Sequence, residues 1–165
     1  MISLIENFFT DEELPIIFKE VNSAEAEPKW RTNKFWSQDI VKKSSAVVSL
    51  YLSEEINNII KNKFIKIKPE YGELTFSCQF YMWYPFSYIP QHKDQNYKLA
   101  STIYLNETWE VDFGGLFYYY DESQKYKMVI PRFNCGVINT PDVYHGVTLL
   151  HPDAPYRTTI QIFAT

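Results

Sequence analysis

Three side chains with lone pairs suited to a metal ion stand at two places in the chain. In Gln91-His92-Lys93-Asp94 the imidazole and the carboxylate are two residues apart. In extended backbone such residues project from one face, roughly 6.5 Å apart along the strand, so both can reach one small ion. A second imidazole, His145, lies in Pro141-Asp142-Val143-Tyr144-His145-Gly146-Val147, where Val143, His145, Val147 and Leu149 alternate onto a predicted buried strand face. An inward histidine needs a hydrogen-bond partner or a metal. Two imidazoles and one carboxylate can take one triangular face of an octahedral ion and leave the other face open, as in non-haem iron(II) sites that use oxygen. For any HxD by itself, the commoner outcome is a pair of solvated turn residues, with the separate histidine hydrogen-bonded in the core.

Further residues bear on that choice. Arg157 enters the apolar, β-branched run Pro155-Tyr156-Arg157-Thr158-Thr159-Ile160-Gln161-Ile162-Phe163. A buried guanidinium calls for a carboxylate, ideally bidentate. No obvious acidic partner lies nearby in sequence, so a ligand carboxylate competes with an ion pair to a distant Asp or Glu. Thr159 shares the face of Arg157 and offers a hydroxyl. Tyr104, in Thr102-Ile103-Tyr104-Leu105-Asn106, could complete the same anion pocket. Gly114-Gly115 suits a tight turn or a close backbone approach. Tyr84-Pro85, eight residues before His92, lines the pocket or packs in the core.

The elements that must hold these residues fall into two parts. Thr10 and Glu13 have capping-box spacing ahead of Leu14, Ile16, Ile17 and Phe18, which predicts a helix ending between Asn22 and Ala26. Ser53 caps a second amphipathic helix carrying Ile56, Ile59, Ile60, Phe64 and Ile67, which Pro69 stops. Between them, the segment 27–41 has no clear period and reads as a loop or irregular strand that could cover a site. From Leu74 the pattern changes to short runs at 74–84, 99–105, 115–120, 126–131, 136–139, 143–150 and 156–164. Seven such strands predict a mainly β, α+β fold, a sandwich or barrel buttressed by the helices. One domain, 1–165, is expected, with 1–73 as helical buttress and candidate lid and 74–165 as the site-bearing core.

Composition narrows the function. Aromatic residues make up 18% of the chain, with 13 tyrosines, which favours strands. The net charge is −4 and the basic residues are scattered, so a nucleic-acid partner is not expected. Cys78 and Cys135 form neither a disulfide framework nor a CxxC pair. With no basic, apolar leader and no membrane-length apolar run, a cytoplasmic protein without a membrane partner is expected. Nothing in the sequence specifies an oligomeric state.

Taken in order, HKD, YLN followed by GGLF, PDVYHGV, and Arg157 with Thr159 resemble the motif series of the 2-oxoglutarate and iron(II)-dependent dioxygenases, in their prolyl 4-hydroxylase-like group. The resemblance spans residues 74–165. It implies a double-stranded β-helix, or jelly roll, with helices packed on the major sheet. It also implies Fe(II) on His92, Asp94 and His145, and 2-oxoglutarate with its far carboxylate on Arg157, Tyr104 and Thr159. Oxygen would be consumed, with ascorbate as accessory reductant, to give succinate, carbon dioxide and a hydroxylated product. The expected substrate is a prolyl residue in a peptide or protein, with a free amino acid or other small molecule as the alternative. Trp30, Arg31, Trp36, Trp83 and Trp109 are candidate substrate contacts. A non-catalytic metal-binding β-barrel and a cupin-like zinc protein or hydrolase are the readings from other classes.

Overall fold

The computed structural model describes residues 2–32 and 47–165, and Trp36, with most of the predicted loop, lies outside them. Its strands are β1 (Ile2–Ile5), β2 (Arg31–Thr32), β3 (Val47–Tyr51), β4 (Phe76–Trp83), β5 (Ile89–His92), β6 (Leu99–Tyr104), β7 (Phe117–Tyr120), β8 (Tyr126–Val129), β9 (Gly136–Asn139), β10 (His145–Val147) and β11 (Arg157–Ala164). The α-helices among the described residues are α1 (Glu13–Val21) and α2 (Glu54–Ile67). The strands form a seven-stranded sheet, β1-β9-β6-β11-β4-β3-β2, and a four-stranded sheet, β5-β10-β7-β8, antiparallel throughout.

Strand alternation gives the larger sheet two unlike faces. Ile160 and Ile162 of β11, Cys78 and Phe80 of β4, and Ile103 of β6 pack with Leu14, Ile17 and Val21 of α1 and Ile56, Ile60 and Phe64 of α2. Each fully buried side chain of this kind contributes about 1.5–3 kcal/mol. Residues of opposite parity face the smaller sheet. There Val47, Tyr81 and Trp83 meet Ile89, Val147 and Leu150 in a second, smaller core. The layout is a jelly roll with helices on one side, as the strand pattern and the family resemblance predict.

The helix starts follow the caps only in part. Ser53 accepts from the Ile56 amide at 3.4 Å. At α1 the Glu13 carboxylate accepts from the Thr10 amide at 2.8 Å, which is one half of the expected capping box. Asn134, at φ 55°, ties this start to the β layer by bonding both the amide and the carbonyl of Phe9 at 2.7 Å.

Three strands, β1, β3 and β5, stand where no strand was expected, and the two-residue β2 falls in the segment read as a loop or irregular strand. The expected strand 143–150 is cut to His145–Val147. Leu149, predicted inward, is 52% exposed while Leu150 is 0% exposed. The cause is local: the Leu149 carbonyl accepts from Gly115 and the Leu150 amide donates to Ser87, so the chain has left its ladder. Gly114 and Gly115 both have positive φ, and a Cβ on Gly114 would collide with the Leu149 carbonyl, which accounts for the glycine there.

Candidate active site

Strands β5 and β10 are neighbours, and His92 and His145 face each other as Cα partners. Asp94 follows in the loop just past β5. Each histidine places Nδ1 on the carbonyl two residues before it, His92 on Pro90 at 3.0 Å and His145 on Val143 at 2.9 Å. A carbonyl only accepts, so Nδ1 carries the hydrogen and Nε2 presents its lone pair. Both Nε2 atoms face Asp94, His145 at 3.3 Å from Oδ2 and His92 at 3.6 Å from Oδ1. One ligand atom from each of the three lies within 4.8 Å of the others.

Three lone-pair donors so close together repel unless a proton or a metal cation lies among them. A proton is disfavoured at His92, where burial and then the His145 charge push the pKa below the ordinary imidazole range. At Asp94 burial pushes the pKa up, but the pull of His145 whenever that ring is protonated, and a hydrogen bond from Asn139, outweigh it and hold the carboxyl low. Phe117 stacks on His145 at 5.3 Å and 21°, which restrains the ring. The donor set therefore fits a divalent ion of the iron or zinc type, held on one side only.

The open side gives onto a cavity of about 290 Å³ whose lining includes Tyr81, Trp83, Tyr97, Thr102, Asn139 and Gln161. On the larger sheet, facing the same inter-sheet space, is Arg157, 1% exposed, between the rings of Trp83 and Tyr104 at 4.9 and 5.2 Å. Among the described residues none of its three nitrogens meets an acceptor, and the Tyr104 hydroxyl is likewise unpartnered. The phenol and guanidinium influence each other electrostatically, yet no hydrogen bond of normal geometry forms between them. Burial lowers the Arg157 pKa and raises that of Tyr104, leaving a cation and a neutral donor. Among the described residues no carboxylate pairs with Arg157, so the distant ion pair is not formed there. A buried guanidinium with a phenol beside it fits a ligand carboxylate.

Thr159 is 0% exposed and is the Cα partner of Tyr104. Its oxygen accepts from Trp83 Nε1 and from Gln161 Nε2, both at 3.1 Å. Its lone pairs are thus used, and its own proton remains to be donated. Gly115 presses on the arginine stem, since a Cβ there would lie 2.9 Å from Arg157 Cδ.

The structure thus brings His92, Asp94 and His145 together, and separately gathers Arg157, Tyr104 and Thr159. Tyr84 belongs to neither group: its ring packs at a tilt of 55° against half-exposed Tyr156, centroids 4.8 Å apart. Strand parity is the reason, because Trp83 is the Cα partner of Arg157 and its neighbour Tyr84 follows the end of the strand. Of the candidate substrate contacts, Trp83 lines the cavity. Trp109 packs against the inner core with its indole on the Gly114 carbonyl, Trp30 packs edge-on to Phe80, and Arg31 lies over Tyr51. Asn139, Phe117 and Gln161 were not predicted. Only their pairing across strands places them at the site.

The sequence matches no family model and no curated protein. The fold does have close counterparts among solved structures. A Pseudomonas putida prolyl-4-hydroxylase superposes with TM-score 0.78 at 16% identity, over 99% of this chain and 91% of that one. A 2OG-Fe(II) oxygenase family oxidoreductase from Burkholderia pseudomallei gives 0.75 at 16%, over 99% and 84%. A Trichoplax adhaerens prolyl hydroxylase, in complex with a peptide fragment of the hypoxia inducible factor oxygen degradation domain, gives 0.75 at 14%, over 99% and 82%. The chain has the fold of the 2-oxoglutarate/Fe(II) oxygenases. Within that class it is similar to prolyl 4-hydroxylases.

Proposed function

We propose that this chain is an Fe(II)- and 2-oxoglutarate-dependent dioxygenase that hydroxylates a prolyl residue in a peptide or protein. One juxtaposition carries the reading. Three lone-pair donors at the smaller sheet and a buried guanidinium on the larger one face the space between the two sheets, and among the described residues the guanidinium N–H groups meet no acceptor. A cation-binding face and an anion-binding anchor are what a metal-chelating dicarboxylate requires. A structural zinc site or non-catalytic barrel has no use for the second of them.

His92, Asp94 and His145 would hold the iron from one side. Arg157 would grip the distal carboxylate of 2-oxoglutarate, with donors from Tyr104 and Thr159. When bound, metal and cosubstrate supply oxidative decarboxylation to succinate and carbon dioxide, coupled to insertion of one oxygen atom into a substrate C–H bond. Ile89, Phe117 and Val147 wall the cavity and keep water from the reacting centre. Support for a peptide substrate comes from the peptide held by the Trichoplax counterpart. The cavity volume of about 290 Å³ favours free proline or another small molecule as the second reading, since it is near the lower limit of small-ligand pockets.

The test is to supply proline-containing peptides and free proline with Fe(II), 2-oxoglutarate, oxygen and ascorbate, and to follow succinate and mass. A gain of one oxygen on peptide supports the proposal. Hydroxylation of free proline alone moves the assignment to the second reading, and no succinate under any condition removes the dioxygenase.

A further inference from the structure

The two halves of the site do not communicate in this structure. The cavity below the histidines is lined by Trp83, Gln161 and Thr102, but not by Arg157, Tyr104 or Thr159. Those three are 1%, 1% and 0% exposed. Trp83 and Gln161 line the cavity and also touch the buried anchors, so they form the partition between them.

The two partition residues are held differently. Gln161 is fixed from both ends: Oε1 accepts from Thr102 at 2.8 Å and Nε2 donates to Thr159 at 3.1 Å. Trp83 covers the guanidinium with its ring face, 4.9 Å from Arg157 Cζ, and donates its indole N–H to Thr159 at 3.1 Å. The ring thus lies over the cation that a carboxylate would pair with, and it holds the oxygen of the threonine whose proton the carboxylate would accept. On its other side is the cavity, which gives the indole space to turn into.

We propose that Trp83 is a shutter over the anion site, and that its indole leaves Thr159 and Arg157 when the distal carboxylate of the cosubstrate enters. This rests on the reading of the cosubstrate as 2-oxoglutarate. The shutter adds an energetic requirement to it: binding must displace one hydrogen bond and one cation–π contact before the ion pair can form. Gln161 keeps its place, so Thr159 still accepts from its amide and turns its own proton to the incoming carboxylate.

Zn(II) has no redox chemistry, so loading the protein with it permits a test of cosubstrate binding that does not depend on activity. The indole N–H resonance of Trp83 in ¹⁵N-labelled wild type is followed while 2-oxoglutarate is added, with binding measured in parallel by calorimetry. The shutter predicts that this resonance shifts and that its hydrogen exchange accelerates at saturation. The variant W83F keeps an aromatic ring but loses the N–H, and is expected to bind 2-oxoglutarate about two- to tenfold more tightly, the range set by one net hydrogen bond. Binding with an unmoved indole, or weaker binding by W83F, overturns the shutter and makes Trp83 a supporting wall. Absence of any binding overturns the 2-oxoglutarate reading together with it. The wild-type resonance decides the matter even where W83F does not fold.

Discussion

The side-chain amide of Asn139 donates to Asp94 Oδ2 at 2.9 Å, the same oxygen that lies 3.3 Å from His145 Nε2. Asp94 sits in a loop, and this bond from β9 links its carboxylate to the larger sheet. Asn139→Ala should weaken divalent-metal binding by about 10- to 100-fold, the usual effect of removing a partner that orients a ligand. Titration with Zn(II) or Co(II) measures it. An unchanged affinity would mean that Asp94 is oriented without Asn139.

The two histidines outside β5 differ sharply in setting. His145 is buried, whereas the His151 side chain is 54% exposed and 3.7 Å from Asp153. His145→Ala should abolish succinate formation from 2-oxoglutarate, and His151→Ala should leave it nearly unchanged. Equal activity of the two variants would remove the metal assignment.

Arg157→Ala separates the anchor from the metal. Losing one partner of a buried charge pair costs about 2–5 kcal/mol, so affinity for 2-oxoglutarate should fall by about 30-fold or more while Zn(II) affinity holds. Arg157→Lys should recover only part, because an ammonium lacks the planar fork. Retained cosubstrate affinity in the alanine variant would point to another anchor.

Acid should loosen the metal-free protein through His92. Its pKa is depressed by burial and by His145, so below about pH 6.5 the unfolded chain takes up a proton that the folded chain refuses. The stability present above that pH is lost as the pH falls through the depressed folded value. Asp94, also held low, adds a second loss below about pH 4. Urea midpoints between pH 7 and 5 should decline in the wild type and decline less in His92→Gln. A flat wild-type profile would contradict the burial argument.

Gly115→Ala tests the backbone beneath the anchor. At φ 62°, its new Cβ would meet Leu150 Cδ1 at 2.8 Å and Arg157 Cδ at 2.9 Å. A strained backbone of this kind costs about 1–3 kcal/mol, and the displaced arginine should bind 2-oxoglutarate less well. A variant as stable as wild type would show that the stem yields freely.

The residues whose types carried chemistry were legible in order and spacing. His92 and Asp94 share a face because they are two apart, His145 lies in an alternating run, and Arg157 is an unmatched charge in an apolar strand. The partners across strands were not legible. Asn139 meets Asp94, and Trp83 meets Thr159, only through a register that no local pattern encodes. Tyr84 lies apart from both groups for the same reason, since a run read as 74–84 does not say which residue is the last to pair. The short run Val47–Tyr51 was passed over because it immediately precedes the Ser53 cap of α2.

β11 has a ladder on each side, to β4 and to β6, and it carries Arg157, Thr159 and Gln161 inward and Ile160 and Ile162 onto the helices. A strand placed so centrally opens only when the whole protein does, so its amides should exchange hydrogen no faster than global unfolding allows. Asp94, on a loop, is free of that restriction. Arg157 is therefore the rigid datum of the candidate site. The loop that carries Asp94 can open and re-form locally while the arginine keeps its place.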